Sequence, residues 1–206
     1  MIVIINYRSA GNPNSIRNML RHIGVDSTIS NLTHDIEEAD KLILPGIGAF
    51  DSGMKNLRDS GLISLLNCKV MDEKTPILGI CLGMQLFTRK SEEGSTSGLG
   101  WIDAETVRFN FAESLDKKYR TPHMGWNSVE VKQDNPLYSN MIEPRFYFAH
   151  SYHVSGINGE NIVTTSLYGY EFVSSFVKEN MIGVQFHPEK SHKYGMTLLR
   201  NFAECF

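Results

Sequence analysis

The first half of the chain alternates short apolar runs with segments whose apolar residues recur every three or four positions. Apolar runs at residues 2–6, 42–44 and 76–80 predict buried strands, the second of them stopped by Pro45-Gly46. Asn12 and Pro13 supply a cap and a first-turn proline for the first helix, and Gly24 can end it. The helical segments predicted in this half are 13–23, 50–57, 62–71 and 82–89.

The second half carries more strand signals, followed by one helical segment at 194–205 that we expect to pack back on the sheet. The strand signals lie at 129–131, 146–149, 162–166, 172–176 and 183–186. Strands that alternate with helices predict an α/β fold with a mainly parallel sheet covered by helices. No repeat, low-complexity stretch or linker interrupts the 206 residues, so we expect a single domain over 1–206.

The composition is that of an ordinary globular protein, with 41% apolar and 21% charged residues. A formal net charge of −3 gives no electrostatic footprint for nucleic acid or for an anionic membrane. The apolar start at residues 1–5 has no basic flank and is far shorter than the roughly 20 residues that span a bilayer. Three sparse cysteines, Cys68, Cys81 and Cys205, indicate neither disulfides nor zinc, and we expect a cytoplasmic protein.

One cysteine stands where a nucleophile could act. Cys81 lies in Gly-Ile-Cys-Leu-Gly at 79–83, between a predicted strand and a predicted helix. A side chain on such a turn points out of the carboxyl edge of the sheet, and the glycines let the backbone bend. The helix that follows directs its first amides at the sulfur, which favours the thiolate. The alternative is a buried cysteine that acts only as a small hydrophobe.

A thiolate nucleophile needs a proton donor and base, and His187 is the best placed histidine. It ends a predicted strand and is followed by Pro188, which fixes the turn, and Glu189, which can reach back to the imidazole. A carboxylate there would set the tautomer and stabilise the imidazolium. The His-Pro-Glu tripeptide alone is a weak signal, and a solvated strand end is the competing interpretation.

A glycine-rich turn, Pro-Gly-Ile-Gly at 45–48, also follows a predicted strand. Such a turn can present backbone amides to an oxyanion, although a plain loop has the same pattern. If parallel strands place it beside Cys81, the amides of Ile47 and Leu82 could form an oxyanion hole.

Several longer segments resemble the triad-type, class I glutamine amidotransferases, and the resemblance runs nearly from end to end. Within that family, the segments at 123–127 and 146–152 are similar to glutaminase subunits of imidazole glycerol phosphate synthase. The matching segments are Pro-Gly-Ile-Gly-Ala-Phe-Asp-Ser-Gly-Met at 45–54, Gly-Ile-Cys-Leu-Gly-Met-Gln at 79–85, Gly-Leu-Gly at 98–100, His-Met-Gly-Trp-Asn at 123–127, Phe-Tyr-Phe-Ala-His-Ser-Tyr at 146–152 and Gly-Val-Gln-Phe-His-Pro-Glu-Lys-Ser at 183–191.

The resemblance implies a doubly wound α/β fold around a mixed, mainly parallel sheet, and hydrolysis of L-glutamine to glutamate and ammonia. Carried over by matching motif, Cys81 is the nucleophile, His187 the acid and base, and Glu189 its orienting carboxylate. No metal or organic cofactor is implied. The residues that would line the glutamine pocket are Gly48, Gln85, Glu93, His150, Ser151 and Tyr152, with Glu93 directed at the substrate amine.

The resemblance also implies a protein partner. In that family the ammonia passes to a (β/α)8-barrel cyclase, a HisF-like subunit that forms a heterodimer with the glutaminase. There it helps to close the imidazole ring in histidine biosynthesis. Asn12 and Trp126 would lie on the side of the chain that faces this partner.

One segment departs from the family, which usually has Asp-Tyr-Gly-x-Gly-Asn-x-x-Ser after its first strand. This chain reads Asn-Tyr-Arg-Ser-Ala-Gly-Asn-Pro-Asn-Ser at 6–15. The difference leaves open an alternative in which ammonia goes to a sugar amidotransferase in surface-polysaccharide synthesis. Two further alternatives are another cysteine hydrolase on the same fold, against which Gln85 and the 45–48 turn argue, and a non-catalytic interaction subunit, against which the complete triad argues.

Overall fold

The computed structural model describes residues 1–8, 13–111 and 119–206, and Asn12 therefore lies outside the described residues. The strands in these ranges are β1 Ile2–Ile5, β2 Ser27–Ser30, β3 Lys41–Gly46, β4 Ile77–Cys81, β5 Glu105–Arg108, β6 His123–Ser128, β7 Glu130–Val131, β8 Arg145–His150, β9 Tyr152–Ser155, β10 Ile162–Tyr168, β11 Tyr170–Lys178 and β12 Met181–Val184. The α-helices are α1 Pro13–His22, α2 Thr33–Glu37, α3 Phe50–Asp59, α4 Ile63–Asn67, α5 Leu82–Leu86 and α6 His192–Cys205.

The central sheet has eight strands in the order β2-β1-β3-β4-β12-β11-β10-β7. Pairing is parallel from β2 through β12 and antiparallel from β12 to β7. Two small antiparallel ribbons, β5 with β9 and β6 with β8, lie outside it. The predicted mixed, mainly parallel α/β sheet is confirmed.

Both faces of the parallel strands β1, β3, β4 and β12 are covered, which explains why these four are mostly apolar runs. Successive side chains point to opposite faces, so Leu42 joins one buried cluster and Ile43 the other. The first cluster contains side chains of α3, α4 and α5, and the second contains those of α1 and α6. Helix α6, predicted at 194–205, contributes Leu198, Leu199 and Phe202, none of which is exposed.

Strand β3 runs through Pro45 and Gly46, where the sequence predicted that it would stop. Its pairing with β1 ends at Ile43, while its pairing with β4 continues to Gly46. Pro45 thus lies where β3 has a neighbour on one side only, a position at which the missing amide of proline is tolerated. No helix in the described ranges is both long enough and apolar enough to cross a membrane.

Candidate active site

Three predicted site segments meet at one edge of the sheet. Gly46, at the end of β3, is the register partner of Cys81, at the end of β4. On the other side of β4, Val184 of β12 pairs with Ile80, and the chain then continues to His187. The parallel strands therefore bring the 45–48 turn, Cys81 and His187 together.

Cys81 occupies a strained turn between β4 and α5, with φ 54° and ψ −108°. A non-glycine residue in such a conformation typically costs about 1–3 kcal/mol, and such residues cluster at functional sites. The flanking glycines serve close packing rather than backbone bending, because neither has a positive φ. A Cβ on Gly83 would lie 1.8 Å from the carbonyl oxygen of Leu44, and one on Gly79 would lie 2.7 Å from the amide nitrogen of Met84.

His187 and Glu189 are joined by a hydrogen bond between Nδ1 and Oε1 of 2.8 Å. A 3₁₀ turn over Pro188–Lys190 brings the carboxylate back to the ring, and the two side chains are only 2% and 8% exposed. The backbone of His187 is fixed as well, since its amide donates to the carbonyl of Tyr147 and its carbonyl accepts from Ser191 Oγ.

Electrostatics make His187 a proton donor at neutral pH. Burial alone would lower the pKa of its imidazole, but the neighbouring Cys81 sulfur and the Glu189 carboxylate raise that pKa to about 10. A protonated imidazole beside the sulfur is the arrangement in which a cysteine acts as a thiolate nucleophile.

A cavity of about 350 Å³ opens over Cys81, within the usual range for a small-molecule site. It contains both residues of the predicted oxyanion hole and every residue predicted to line the glutamine pocket. Its lining comprises Ile47, Gly48, Ala49, Cys81, Leu82, Gln85, Glu93, Pro122, Met124, Ala149, His150, Ser151 and Tyr152. The sequence did not assign Ala49, Pro122, Met124 and Ala149 to this pocket.

The predicted oxyanion hole combines a helix start with a glycine turn. The amide of Leu82 is the first of α5, where helix geometry leaves amides without intrahelical partners. Gly48 has φ 101°, a conformation that favours glycine. The base of this turn is held by Tyr7, a fully buried residue to which the sequence assigned no role, whose hydroxyl donates to the carbonyl of Pro45 over 2.8 Å.

The side chains of Gln85 and Glu93 both make hydrogen bonds within the protein. The amide nitrogen of Gln85 donates to the carbonyl of Tyr152 and to Oε1 of Gln185, over 3.0 and 3.1 Å. Both its protons are then used, which leaves the carbonyl oxygen of Gln85 for a ligand. One carboxylate oxygen of Glu93 accepts from the amide of Phe50, at the start of α3, over 2.7 Å.

His150 is a neutral wall of the pocket, since burial lowers its pKa well below the ordinary value. Its Nδ1 lies 2.7 Å from the carbonyl of Tyr152, so that nitrogen carries the proton. Its Nε2 must then accept from Nδ1 of His123, 3.1 Å away. Burial also lowers the pKa of His123, to about 4. His123 appeared in the sequence only as part of a motif, and its support of His150 was not predicted.

Trp126 lies away from the pocket lining on β6. It is 42% exposed, and its near neighbour Met124 is 65% exposed. The indole stacks in parallel on His192, with ring centroids 5.7 Å apart and planes 9° from parallel. Of the two residues predicted to face a partner, Trp126 is thus at the surface, and Asn12 is outside the described residues.

Comparison with known proteins decides the family. The sequence model described as "Glutamine amidotransferase class-I" matches residues 3–205. The chain belongs to the class I glutamine amidotransferase family. This amidotransferase is 55% identical to "Imidazole glycerol phosphate synthase subunit HisH 2" of Methanococcus maripaludis, over 98% of each chain. It is 47% identical to the protein of the same description from Pseudomonas aeruginosa, over 99% of each chain.

The fold of this amidotransferase has a close counterpart among solved structures. One described as "Crystal structure of glutamine amidotransferase" superposes with a TM-score of 0.76 over 99% of this chain and 98% of the other. The two sequences are only 17% identical, so this likeness concerns the fold alone.

Proposed function

We propose that this chain is a glutaminase subunit that hydrolyses L-glutamine to glutamate and ammonia and passes the ammonia to a cyclase partner. The observation that carries the proposal is the buried Cys81–His187–Glu189 arrangement beneath a cavity of glutamine size. The two relatives described as subunits of imidazole glycerol phosphate synthase support the fate of the ammonia, which would help to close the imidazole ring of imidazole glycerol phosphate in histidine biosynthesis.

The reaction begins with attack of the Cys81 thiolate on the side-chain amide carbon of glutamine. Negative charge then develops on the amide oxygen, where the amides of Ile47 and Leu82 would receive it. One such donor is typically worth on the order of 3 kcal/mol of barrier. His187, protonated because its pKa is about 10, gives its proton to the nitrogen, and ammonia leaves behind a glutamyl thioester.

The second half of the reaction returns the enzyme to its starting state. His187, now neutral, takes a proton from water as that water attacks the thioester carbon. Glutamate leaves, the thiolate is restored, and the proton remains on the imidazole. Glu189 keeps the ring in one orientation through both steps. The proposed reaction needs no metal or organic cofactor.

The cavity wall would provide specificity for glutamine. We assign the α-ammonium group of the substrate to Glu93, whose second oxygen remains after one is used by Phe50. The free carbonyl oxygen of Gln85 is an acceptor for another substrate N–H. The remaining wall of the glutamine pocket consists of Gly48, His150, Ser151 and Tyr152.

For the partner we propose a HisF-like (β/α)8-barrel cyclase that forms a heterodimer with this chain in the cytoplasm. The exposed Trp126 and Met124 offer it an apolar surface next to the cavity, since Met124 also lines that cavity. Asn12 would lie on the same side. The whole chain, 1–206, would act as one glutaminase domain.

The test is reconstitution of the chain with the barrel cyclase encoded in the same genome. We expect a stable 1:1 complex that forms imidazole glycerol phosphate from glutamine, and glutamine hydrolysis that rises when the cyclase substrate is added. If the chain instead co-purified with a sugar amidotransferase and did not bind the cyclase, the proposed partner would be wrong, but the proposed glutaminase activity would stand. Absence of glutamine hydrolysis in every combination would overturn the proposal itself.

A further inference from the structure

Gln185 is a completely buried polar residue at the centre of the site. It follows β12 directly, and its backbone amide donates to the carbonyl of Ser174 over 2.9 Å. Because β12 pairs in parallel with β4, its side chain lies next to Cys81. The amide nitrogen of Gln185 lies 3.7 Å from the sulfur, within hydrogen-bonding distance for an N–H donor to sulfur.

The orientation of this amide is set by a chain of donors and acceptors that starts from the backbone. The carbonyl of Tyr152 can only accept, so the group 3.0 Å from it must be the NH₂ of Gln85. The second proton of that NH₂ goes to Gln185, which must present its oxygen, 3.1 Å away. The remaining end of the Gln185 amide, its NH₂, therefore faces the Cys81 sulfur.

We propose that Gln185 positions the nucleophile, donating an N–H···S hydrogen bond to the Cys81 thiolate and tying the sulfur through Gln85 to the Tyr152 wall of the cavity. This inference deepens the proposed glutaminase function and rests on it. Cys81 would then have two donors, the imidazolium of His187 and the amide of Gln185. The amide stays a donor at every pH, whereas the imidazolium loses its proton as ammonia leaves. Gln185 would thus stay next to the sulfur while His187 is neutral and the sulfur is part of the thioester, and it would donate to the thiolate again when glutamate leaves.

The test compares two substitutions of Gln185 with one matched control. Gln185→Met keeps a long side chain but removes the donor, and Gln185→Glu puts an acceptor of the same shape against the sulfur. The control is Asn201→Leu, which removes another buried amide, whose NH₂ donates to the carbonyls of Leu137 and Ser139. All variants carry Cys68→Ser and Cys205→Ser, so that Cys81 is the one thiol left to react.

The first readout is the pH dependence of Cys81 alkylation by iodoacetamide, which needs no glutamine turnover. We expect the midpoint of the rate profile to move to higher pH by about one unit in Gln185→Met and further in Gln185→Glu, since loss of a donor disfavours the thiolate. Asn201→Leu should keep the wild-type midpoint even if its melting temperature falls. A Gln185→Met profile that superposes on the wild type would overturn the proposal.

The second readout separates kcat from KM for glutamine in the complex with the cyclase. We expect kcat to fall about tenfold in Gln185→Met, the ordinary effect of one lost hydrogen bond to a charged group, with KM within about twofold of wild type. A loss that Asn201→Leu reproduces would show a merely structural role. If Gln185→Met does not fold, Gln185→Glu decides by the same two readouts. A shifted alkylation profile in a chain that hydrolyses no glutamine would reject only the proposed function.

Discussion

Nδ1 of His187 donates to Oε1 of Glu189 over 2.8 Å, and both side chains are almost completely shielded from solvent. A carboxylate can only accept, so Nδ1 is the nitrogen that always carries a proton. The proton that moves during the reaction must then be the one on Nε2. Because Nδ1 only binds Glu189 and Nε2 transfers the proton, the two residues should differ in how much their loss lowers kcat.

Glu189→Gln should impair glutamine hydrolysis less than His187→Ala. His187 moves protons in both half-reactions, whereas Glu189 only orients the ring and stabilises its charge. By analogy with other triads, the difference between the two variants should be about 10²-fold in kcat. Steady-state kinetics of both variants, with matched circular dichroism spectra, test this order. Glu189→Gln as the more damaging change would reject the division of roles.

Cys81→Ala should abolish glutamine-dependent synthesis by the complex but leave synthesis from added ammonium salts intact. The substitution removes the nucleophile, and a loss of about 10³-fold or more is expected for glutamine hydrolysis. The chemistry on the acceptor belongs to the partner and needs only ammonia. Parallel assays with glutamine and with ammonium chloride distinguish the two. Near-normal glutamine turnover in Cys81→Ala would show that another residue is the nucleophile.

The charge on His187 should depend on Cys81. Burial lowers the pKa of the imidazole, and the sulfur is the largest influence that raises it, to about 10. In Cys81→Ala, burial is opposed by Glu189 alone, and the pKa of His187 should fall. Titration of ¹⁵N-labelled histidine followed by NMR should find wild-type His187 protonated up to about pH 10 and the variant losing its proton earlier. An unchanged titration would mean that the two groups do not form an ion pair.

Gly48→Val should reduce glutamine turnover at least tenfold through backbone strain. Among the described residues no atom lies within 4 Å of a Cβ built on Gly48, so we expect strain from its φ of 101° and not a clash of the Cβ with the protein. A side chain at this φ should cost roughly 1–3 kcal/mol of strain, and the turn can relieve that strain by moving the Ile47 amide. Gly100→Val is the matched control, because Gly100 has φ 70°, equally open space and no place in the cavity. Equal losses in both variants would indicate general destabilisation instead.

Acid should destabilise the protein partly through His123. Its pKa is about 4 in the folded chain and about 6.5 when unfolded. Between these values the unfolded chain binds a proton that the folded chain does not, so stability falls as pH drops from 6.5 to 4. His123→Phe keeps a ring that can stack on Phe148 and Tyr168 but removes this titration. Urea unfolding at pH 7 and pH 5 should therefore show a smaller pH effect in His123→Phe than in wild type.

Apolar patterning was enough to predict four of the five parallel strands, β1, β3, β4 and β12, because strands buried on both faces are mostly apolar. Of the four ribbon strands it predicted β8, at 146–149, but not β5, β6 or β9. Strand β6 reads His-Met-Gly-Trp-Asn-Ser and alternates buried with more exposed positions, a pattern that polar buried residues such as His123 disguise. β2, with one buried residue in Ser-Thr-Ile-Ser, gives a similarly weak signal.

The residues of the site also differ in whether the sequence pattern could predict them. Cys81, His187 and the 45–48 turn could be predicted because each lies where a parallel strand ends, and such ends share one edge of the sheet. Tyr7 and Gln185 could not, since their roles depend on hydrogen bonds to partners 38 and 104 positions away in sequence. Pro45 also shows that a residue that usually ends a strand need not do so where one neighbouring strand has already stopped.

At position 81 the residue that the reaction needs is not the residue that would give the most stable fold. With φ 54° and ψ −108°, its backbone is in a region that glycine adopts easily and other residues adopt only at a cost. A glycine there would relieve the strain and give a more stable but inactive protein. The nucleophile is therefore retained at a permanent thermodynamic disadvantage, and selection for thermal stability alone would tend to remove it. Any programme of stabilisation by directed evolution should hold position 81 fixed.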